Sequence, residues 1–263
     1  MKVASLKFST EKEPPFYDVK VDDEGNVSYY NKKGELHRLD GPAVEKTDGT
    51  KEWWVNGKKH RLDGPAVETT DGDKEWWVNG MRHRLDGPAV ENANGTREWW
   101  VNGREHRLDG PAIEWADGDK EWYVNGNRHR LDGPAIINTD GTKEWWIKGD
   151  LLGSTKGRFS DKKFEQWRAE HVREDGSIVN NVGDVVYYDE KTQLHRLNGP
   201  AIEWADGKRK AWYVNGQLHR LDGPAVDFGD DYKAWYVKGK LIGTSKEGFT
   251  QKKFELWKKE HGL

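Results

Sequence analysis

The chain of 263 residues has no cysteine. That excludes disulfide staples, thiolate catalysis and Cys-ligated zinc, and it suits a reducing compartment. Long apolar runs are missing too. Nothing approaches the roughly 18 residues that a membrane-spanning helix needs, and the opening MKVASLKF lacks the extended hydrophobic stretch of a signal peptide. The sequence therefore reads as soluble and unsecreted, with a cytoplasmic location expected. Neither sign of charge dominates: 43 Lys and Arg stand against 46 Asp and Glu, a net charge of -3. Bulk attraction to duplex phosphates needs an excess of bases, so no duplex nucleic acid partner is expected.

Aliphatic residues are scarce. Leu, Ile, Val and Phe make up 49 residues, under a fifth of the chain. Such poverty together with a high net charge would signal disorder, but the net charge here is low. The shortfall is also met by 15 Trp and 9 Tyr, each able to remove a large apolar area from water. A folded chain with an aromatic core follows.

What is present is repetition. HRLDGPA begins at His37, His60, His83, His106 and His129, each 23 residues after the last, and again at His219; HRLNGPA begins at His195, with Asn198 in place of Asp. A fixed period of this length marks stacked supersecondary units. One unit runs GPAVETTDGDKEWWVNGMRHRLD, from Gly64 to Asp86. PAVET is β-prone and starts on a proline, Asp71-Gly72 marks a tight hairpin, and KEWWV forms the return strand. Asn79-Gly80 closes that strand, and the polar HRLDG segment leads into the next unit. The fold class expected is mainly β: an antiparallel meander of 23-residue hairpin repeats in two halves, each capped by a short C-terminal helix.

Strand alternation sorts the return strand into two faces. Trp53, Trp76, Trp99, Trp122, Trp145, Trp212 and Trp235 share one with Val55 and its equivalents; this is the expected core face, and the Leu of each HRLDG is expected to pack there. On the other lie Trp54, Trp77, Trp100, Tyr123, Trp146, Tyr213 and Tyr236, beside Glu52 and its equivalents. That mixture of Trp with Tyr suits a partly wet surface.

A larger duplication encloses the repeats. Gly149 to His171 (GDLLGSTKGRFSDKKFEQWRAEH) matches Gly239 to His261 (GKLIGTSKEGFTQKKFELWKKEH). The expected domains are residues 1–171, with five HRLDGPA units and a helix at about 160–171, and residues 172–263, with two units and a helix at about 250–261. Ser160 and Thr250 are candidate N-caps; Phe159 with Phe164, and Phe249 with Phe254, have the spacing of a hydrophobic staple. Leu152 and Ile242 stand where other units have His, so apolar residues replace the polar turn where a helix must dock and close the end of the sheet. The alternative is a helix used as a partner-binding peptide.

The 23-residue hairpin with an aromatic, a glycine and then a histidine (Trp53, Gly57, His60) resembles the MORN repeat family, and the HRLDGPA wording resembles repeat proteins of tailed phages and giant viruses. The likeness covers about residues 29–150 and 187–240. It departs from the MORN pattern in lacking the glycine after the first aromatic and in reading His60-Arg61 where that family has His-Gly. The resemblance implies protein scaffolding or contact with membrane lipid.

His60, Arg61 and Asp63, with His83, Arg84 and Asp86 and with His106, Arg107 and Asp109, could be read as catalytic triads. A catalytic site, however, gathers unlike groups once per chain, whereas these recur in nearly every unit. Successive units advance by two strands, about 9.6 Å at ~4.8 Å per strand, too far for equivalent histidines to share one zinc. These residues are expected to serve their turns, with a repeated ligand-binding triad as the alternative. No cofactor, metal or catalytic residue is expected, and the chain reads as non-enzymatic. The outer row from Trp54 to Tyr236 is the candidate binding surface, because aromatic rows with polar neighbours suit protein hot spots and can stack bases. Trp115 and Trp204, both in EWADG, add an aromatic at matching places. The basic residues of the helices (Lys162, Lys163, Arg168; Lys252, Lys253, Lys258, Lys259) could meet an anion. The function expected is a scaffold that binds another protein, in its finer form a viral accessory factor acting on a host protein in the host cytoplasm. The alternatives are sequestration of a nucleotide or other small anionic ligand, and membrane-surface binding.

Overall fold

The structure, a computed structural model, describes residues 17–190 and 192–263. They fall into two compact units, residues 17–106 with 112–118 and residues 107–111 with 119–263. The chain is mainly β, with a 13-stranded and a 7-stranded antiparallel meander. Two helices stand near the ends of the sequence halves: α1 (Asp161–His171) and α2 (Gln251–Glu260).

The unit from Gly64 shows how each repeat is built. Ala66 donates to Glu75 O at 2.7 Å while its own carbonyl accepts from Trp53 N–H at 2.8 Å, so it is bonded to strands on both sides. Its methyl is wholly buried, as are those of Ala43 and Ala89 in the same compact unit and of Ala135, Ala201 and Ala225 in the other. Alanines at the crossing points therefore do much of the work that a poor supply of aliphatics could not. Val67–Glu68 pairs with Lys74–Glu75 across the turn that holds Gly72 at φ +99°.

The return strand is not one strand, as expected from KEWWV. It breaks at its first Trp. Trp76 sends its N–H to Ala89 O in the next repeat and receives His83 N–H on its own carbonyl. It is the corner at which the chain leaves the main ladder and enters a small side hairpin, Trp77–Val78 with Met81–Arg82. That hairpin turns through Asn79 and Gly80 at φ +54° and +81°, a left-handed geometry that Asn and Gly adopt at least cost. The last repeat of each half keeps a continuous strand, Lys143–Ile147 and Lys233–Val237. There the strand pairs along its length with its own return, Asp150–Ser154 or Lys240–Thr244, with a register shift after Trp145 or Trp235. With no following repeat to bond, the corner disappears.

Two expectations about the core face need correction. Six of the seven loop leucines do not pack in it: Leu62 and Leu85 are each 80% exposed, and Leu39, Leu108, Leu197 and Leu221 are exposed as well, whereas Leu131 packs against the Trp145 cluster as expected. The loop carries the side chain outward because Arg and Asp on either side of it are tied to the turn. Nor is the first aromatic row closed over. Trp53, Trp76, Trp122 and Trp212 are half-buried, whereas Trp145 and Trp235 are fully covered. The cover is helical. Phe164 of α1 packs on Trp145 and Ile147, with Leu131, Leu152, Phe159 and Trp167 around them; Phe254 of α2 packs on Trp235 and Val237, with Ile242, Phe249 and Trp257. Ser160 and Thr250 cap these helices by accepting from Lys163 and Lys253 N–H. No helix among the described residues is long and apolar enough to cross a membrane.

Candidate functional site

The HRLDG loops are built around their arginine. Arg61 lays its guanidinium 3.9 Å from the centre of the Trp53 ring, donates through Nε to Asp63 at 3.1 Å, and through Nη1 to Pro65 O at 3.0 Å and Glu68 at 2.9 Å. The same stack recurs for Arg84 on Trp76, Arg130 on Trp122 and Arg220 on Trp212, at 3.8 to 4.1 Å. Arg107 donates to Asp109 at 2.9 Å and to Pro111 O at 3.2 Å. These bonds hold the Asp86 and Asp109 carboxyls below the ordinary carboxylate range, chiefly through the hydrogen bond from the neighbouring arginine. Where Asn198 replaces Asp, Arg196 keeps Pro200 O, Glu203 and an aromatic ring, here Tyr187 at 3.6 Å, but has no carboxylate two residues on.

The histidines face a different task. Nδ1 of His60 accepts from Asn79 N–H at 3.1 Å, and Nδ1 of His83 from Asn102 N–H at 3.1 Å, so each ring pins the left-handed turn of the following repeat. An Nδ1 that accepts leaves the proton of the neutral ring on Nε2. His106 has its backbone N–H on Trp99 O at 2.9 Å. Among the described residues no three His, Asp or Glu side chains are grouped to hold a metal ion.

The outer aromatic row is half-buried and largely self-satisfied. The indoles of Trp54, Trp77, Trp100 and Trp146 donate to Glu52, Glu75, Glu98 and Glu144 at 2.7 to 2.9 Å, and the Tyr123 hydroxyl donates to Glu121 at 2.8 Å. Cations interleave the rings: Lys59 lies between Trp54 and Trp77, Arg82 between Trp77 and Trp100, and Arg128 between Tyr123 and Trp146, each 5.2 to 5.8 Å from the ring centres. Burial, followed by the Glu121 carboxylate, pushes the Tyr123 hydroxyl up to about 12. In the second half Ala211 and Ala234 replace the glutamates beside Tyr213 and Tyr236, and burial raises the Tyr213 hydroxyl.

The concave surface that recurs lies on the opposite face, between successive HRLDG loops. One groove of about 580 Å³ has Leu62 and Leu85 on its two rims, Trp76 and Val78 in its floor, and Asp63, His83, Arg84 and Asp86 at its edges. A second, of about 600 Å³, repeats this with Leu197, Leu221, Trp212 and Val214. A third, of about 490 Å³ between the loops of Leu108 and Leu131, also receives Glu190. Sequence reasoning missed these grooves by assigning every loop leucine to the core. The signal was a lone leucine between Arg and Asp in a segment otherwise wholly polar.

Of the remaining candidates, Trp115 is exposed, and Trp204 meets Phe228 edge-on at a centroid distance of 5.4 Å. Lys163 and Lys253 close the turns before their helices by donating to Arg158 O and Gly248 O at 2.9 Å. Lys258 donates to Leu221 O at 2.8 Å, which ties α2 to an HRLDG loop. Lys148 stands apart: its Nζ is buried against the Tyr188 ring with no hydrogen-bond partner among the described residues, and burial depresses it to about 6.

No family model matches the chain, and no curated protein matches it.

Proposed function

We propose that the chain is a non-enzymatic repeat scaffold that binds a protein through the grooves between its HRLDG loops. One observation carries the reading: leucines at a 23-residue period are held outward on tied loops, beside floors of Trp and Val. Apolar side chains so presented gain roughly 1.5–3 kcal/mol each when a partner covers them fully. Exposed apolar features with a polar rim mark interaction sites on soluble proteins. The arginines and histidines suited to a small anion are engaged in the turns, which favours the scaffold over nucleotide sequestration. The MORN-type likeness of the units agrees with a scaffolding role. In its finer form, which rests on the likeness to phage and giant-virus repeat proteins alone, the partner is a host protein.

Affinity capture with the intact chain and with a Leu62→Asp, Leu85→Asp variant tests the reading. Both leucines are exposed, so the variant should fold. The expected result is a protein captured by the first and lost from the second. Identical capture by both would overturn the assignment of the grooves.

A further inference from the structure

We infer that the partner enters an open groove as an amphipathic α-helix carrying Phe-x-x-Trp followed by a basic residue. This deepens the scaffold reading and rests on it. The chain contains two such helices, and each already sits just beyond the last HRLDG loop of its half, on the Trp and Val or Ile that continue the groove floors there. In α1 the sequence is Phe164-Glu165-Gln166-Trp167-Arg168; in α2 it is Phe254-Glu255-Leu256-Trp257-Lys258. The two aromatics stack in each, with centroids 6.1 Å apart at 15° in α1 and 5.9 Å apart at 5° in α2. The phenylalanine is the buried anchor, 1% exposed in α1 and 0% in α2.

The surface under α2 corresponds to the floor and first wall of an open groove. Leu221, Asp222, Trp235 and Val237 stand where Leu62, Asp63, Trp76 and Val78 stand in the earlier repeat. Charge matches as well. Lys258 Nζ donates to Leu221 O, and the Asp222 and Asp132 carboxyls, lowered chiefly by their hydrogen bonds from Arg220 and Arg130, also feel the Lys258 and Arg168 charges. The equivalent carboxylates of Asp63 and Asp86 are exposed at the edges of the open groove.

Size agrees. Repeats advance by about 9.6 Å, two strand spacings, and packed helices lie 8–10 Å apart, so one groove takes one helix. The open groove differs in its second wall, where His83, Arg84, Leu85 and Asp86 stand in place of Ile242, Gly243, Thr244 and Ser245. At the end of each half the arginine is replaced by Gly153 or Gly243, and Phe159 or Phe249 covers the Trp ring instead; a Cβ at either glycine would lie 2.5 or 2.4 Å from that phenyl ring. In the open groove the Arg84 guanidinium covers Trp76. An incoming aromatic therefore meets the outer face of a guanidinium, a surface on which aromatic rings stack well.

The probe is a peptide of residues 248–261, GFTQKKFELWKKEH, stabilised as a helix by a lactam on its exposed side because so short a helix is marginal alone. It is titrated into the intact chain and followed by NMR. Saturable shifts at the Leu62 and Leu85 methyls and the Trp76 indole are expected. Replacing the peptide's Phe254 and Trp257 by Ala should weaken binding by about tenfold or more, as for interface anchors. Leu62→Asp in the chain should abolish the shifts; Leu62→Ser serves if the first variant folds poorly. No shifts at millimolar peptide, or shifts confined to Trp235 and its own helix, would overturn the inference. So would Leu62-dependent self-association of the chain, since a second copy would then be the occupant. Failure of the peptide alongside Leu62-dependent protein capture would sink the helix and leave the scaffold standing; failure of both would sink both.

Discussion

The guanidinium of Arg61 lies 3.9 Å from the centre of the Trp53 ring and donates at the same time to Glu68, seven residues further on. One side chain thus joins the corner of the return strand, the HRLDG loop and the first strand of the following unit. Planarity and the fork of donors make this possible, and lysine has neither.

Arg84→Lys should therefore cost about 2 kcal/mol, the combined scale of a partly desolvated cation–π contact and a lost charge-assisted hydrogen bond. Chemical denaturation measures it. An unchanged midpoint would show that the stack is incidental. Asn198 supplies the converse. Asn198→Asp restores the partner that Arg196 lacks, and should raise stability by up to about 1 kcal/mol, the range of an exposed pair.

The caps make a second test. Phe254→Ala should cost on the order of 3–5 kcal/mol, because it empties a site wholly enclosed by Trp235, Val237 and Trp257. Aggregation by light scattering should accompany the loss, since the uncovered apolar surface and sheet end are free to associate. Normal melting and solubility would mean that α2 is a detachable element.

Legibility in the sequence divides along a physical line. The period, the Asn-Gly turns, the Ser160 and Thr250 caps and the docking of Phe164 and Phe254 depend on neighbours close in sequence or on strict repetition, so pattern sufficed. The exposure of Leu62 did not show, because hydrophobicity alone sends a leucine inward; only the ties of Arg61 and Asp63 to their turn send it out. The break at Trp76 was hidden for a similar reason, since it depends on which repeat receives each backbone group. The glutamate partners of the outer row lie two residues from their indoles, so they were within reach of the alternation that sorted the faces.

Lys148 and His129 give the second compact unit a pH dependence of definite sign. Burial lowers Lys148 from 10.5 to about 6, and burial with the Lys148 charge lowers His129 from 6.5 to about 4. Both groups bind fewer protons folded than unfolded, so stability rises with pH, through about 4 to 6.5 for His129 and about 6 to 10.5 for Lys148. Thermal melts from pH 6 to pH 10 should move upward, and Lys148→Met should flatten the slope. A wild-type melting point independent of pH would count against the burial of this amine.

Modularity follows from the repeat bonding. Deleting residues 64–86 joins Asp63 to Gly87 and restores HRLDGPA, so each remaining repeat keeps a neighbour of the same kind on either side. The far-ultraviolet dichroism should persist with a modest fall in melting temperature, as in arrays held by nearest-neighbour contacts. Global unfolding would show that the repeat number is fixed.

The openness of the grooves can be tested within a single row of tryptophans. Trp76 and Trp145 occupy equivalent positions, yet Trp145 is fully buried under α1 while Trp76 is half-buried beneath one guanidinium. Removing an enclosed ring leaves a cavity, so Trp145→Ala should cost on the order of 3–5 kcal/mol. Trp76→Ala loses a partly wet ring and the arginine stack, and should cost clearly less, about 2 kcal/mol. Trp77→Ser, on the outer face, should cost a similar amount, since it removes one hydrogen bond to Glu75 and the contacts of Lys59 and Arg82. Denaturant midpoints of the three variants decide the ranking. If Trp76 proved as costly as Trp145, the interior row would be covered by something other than its own arginines, and the groove would no longer be free to take a partner.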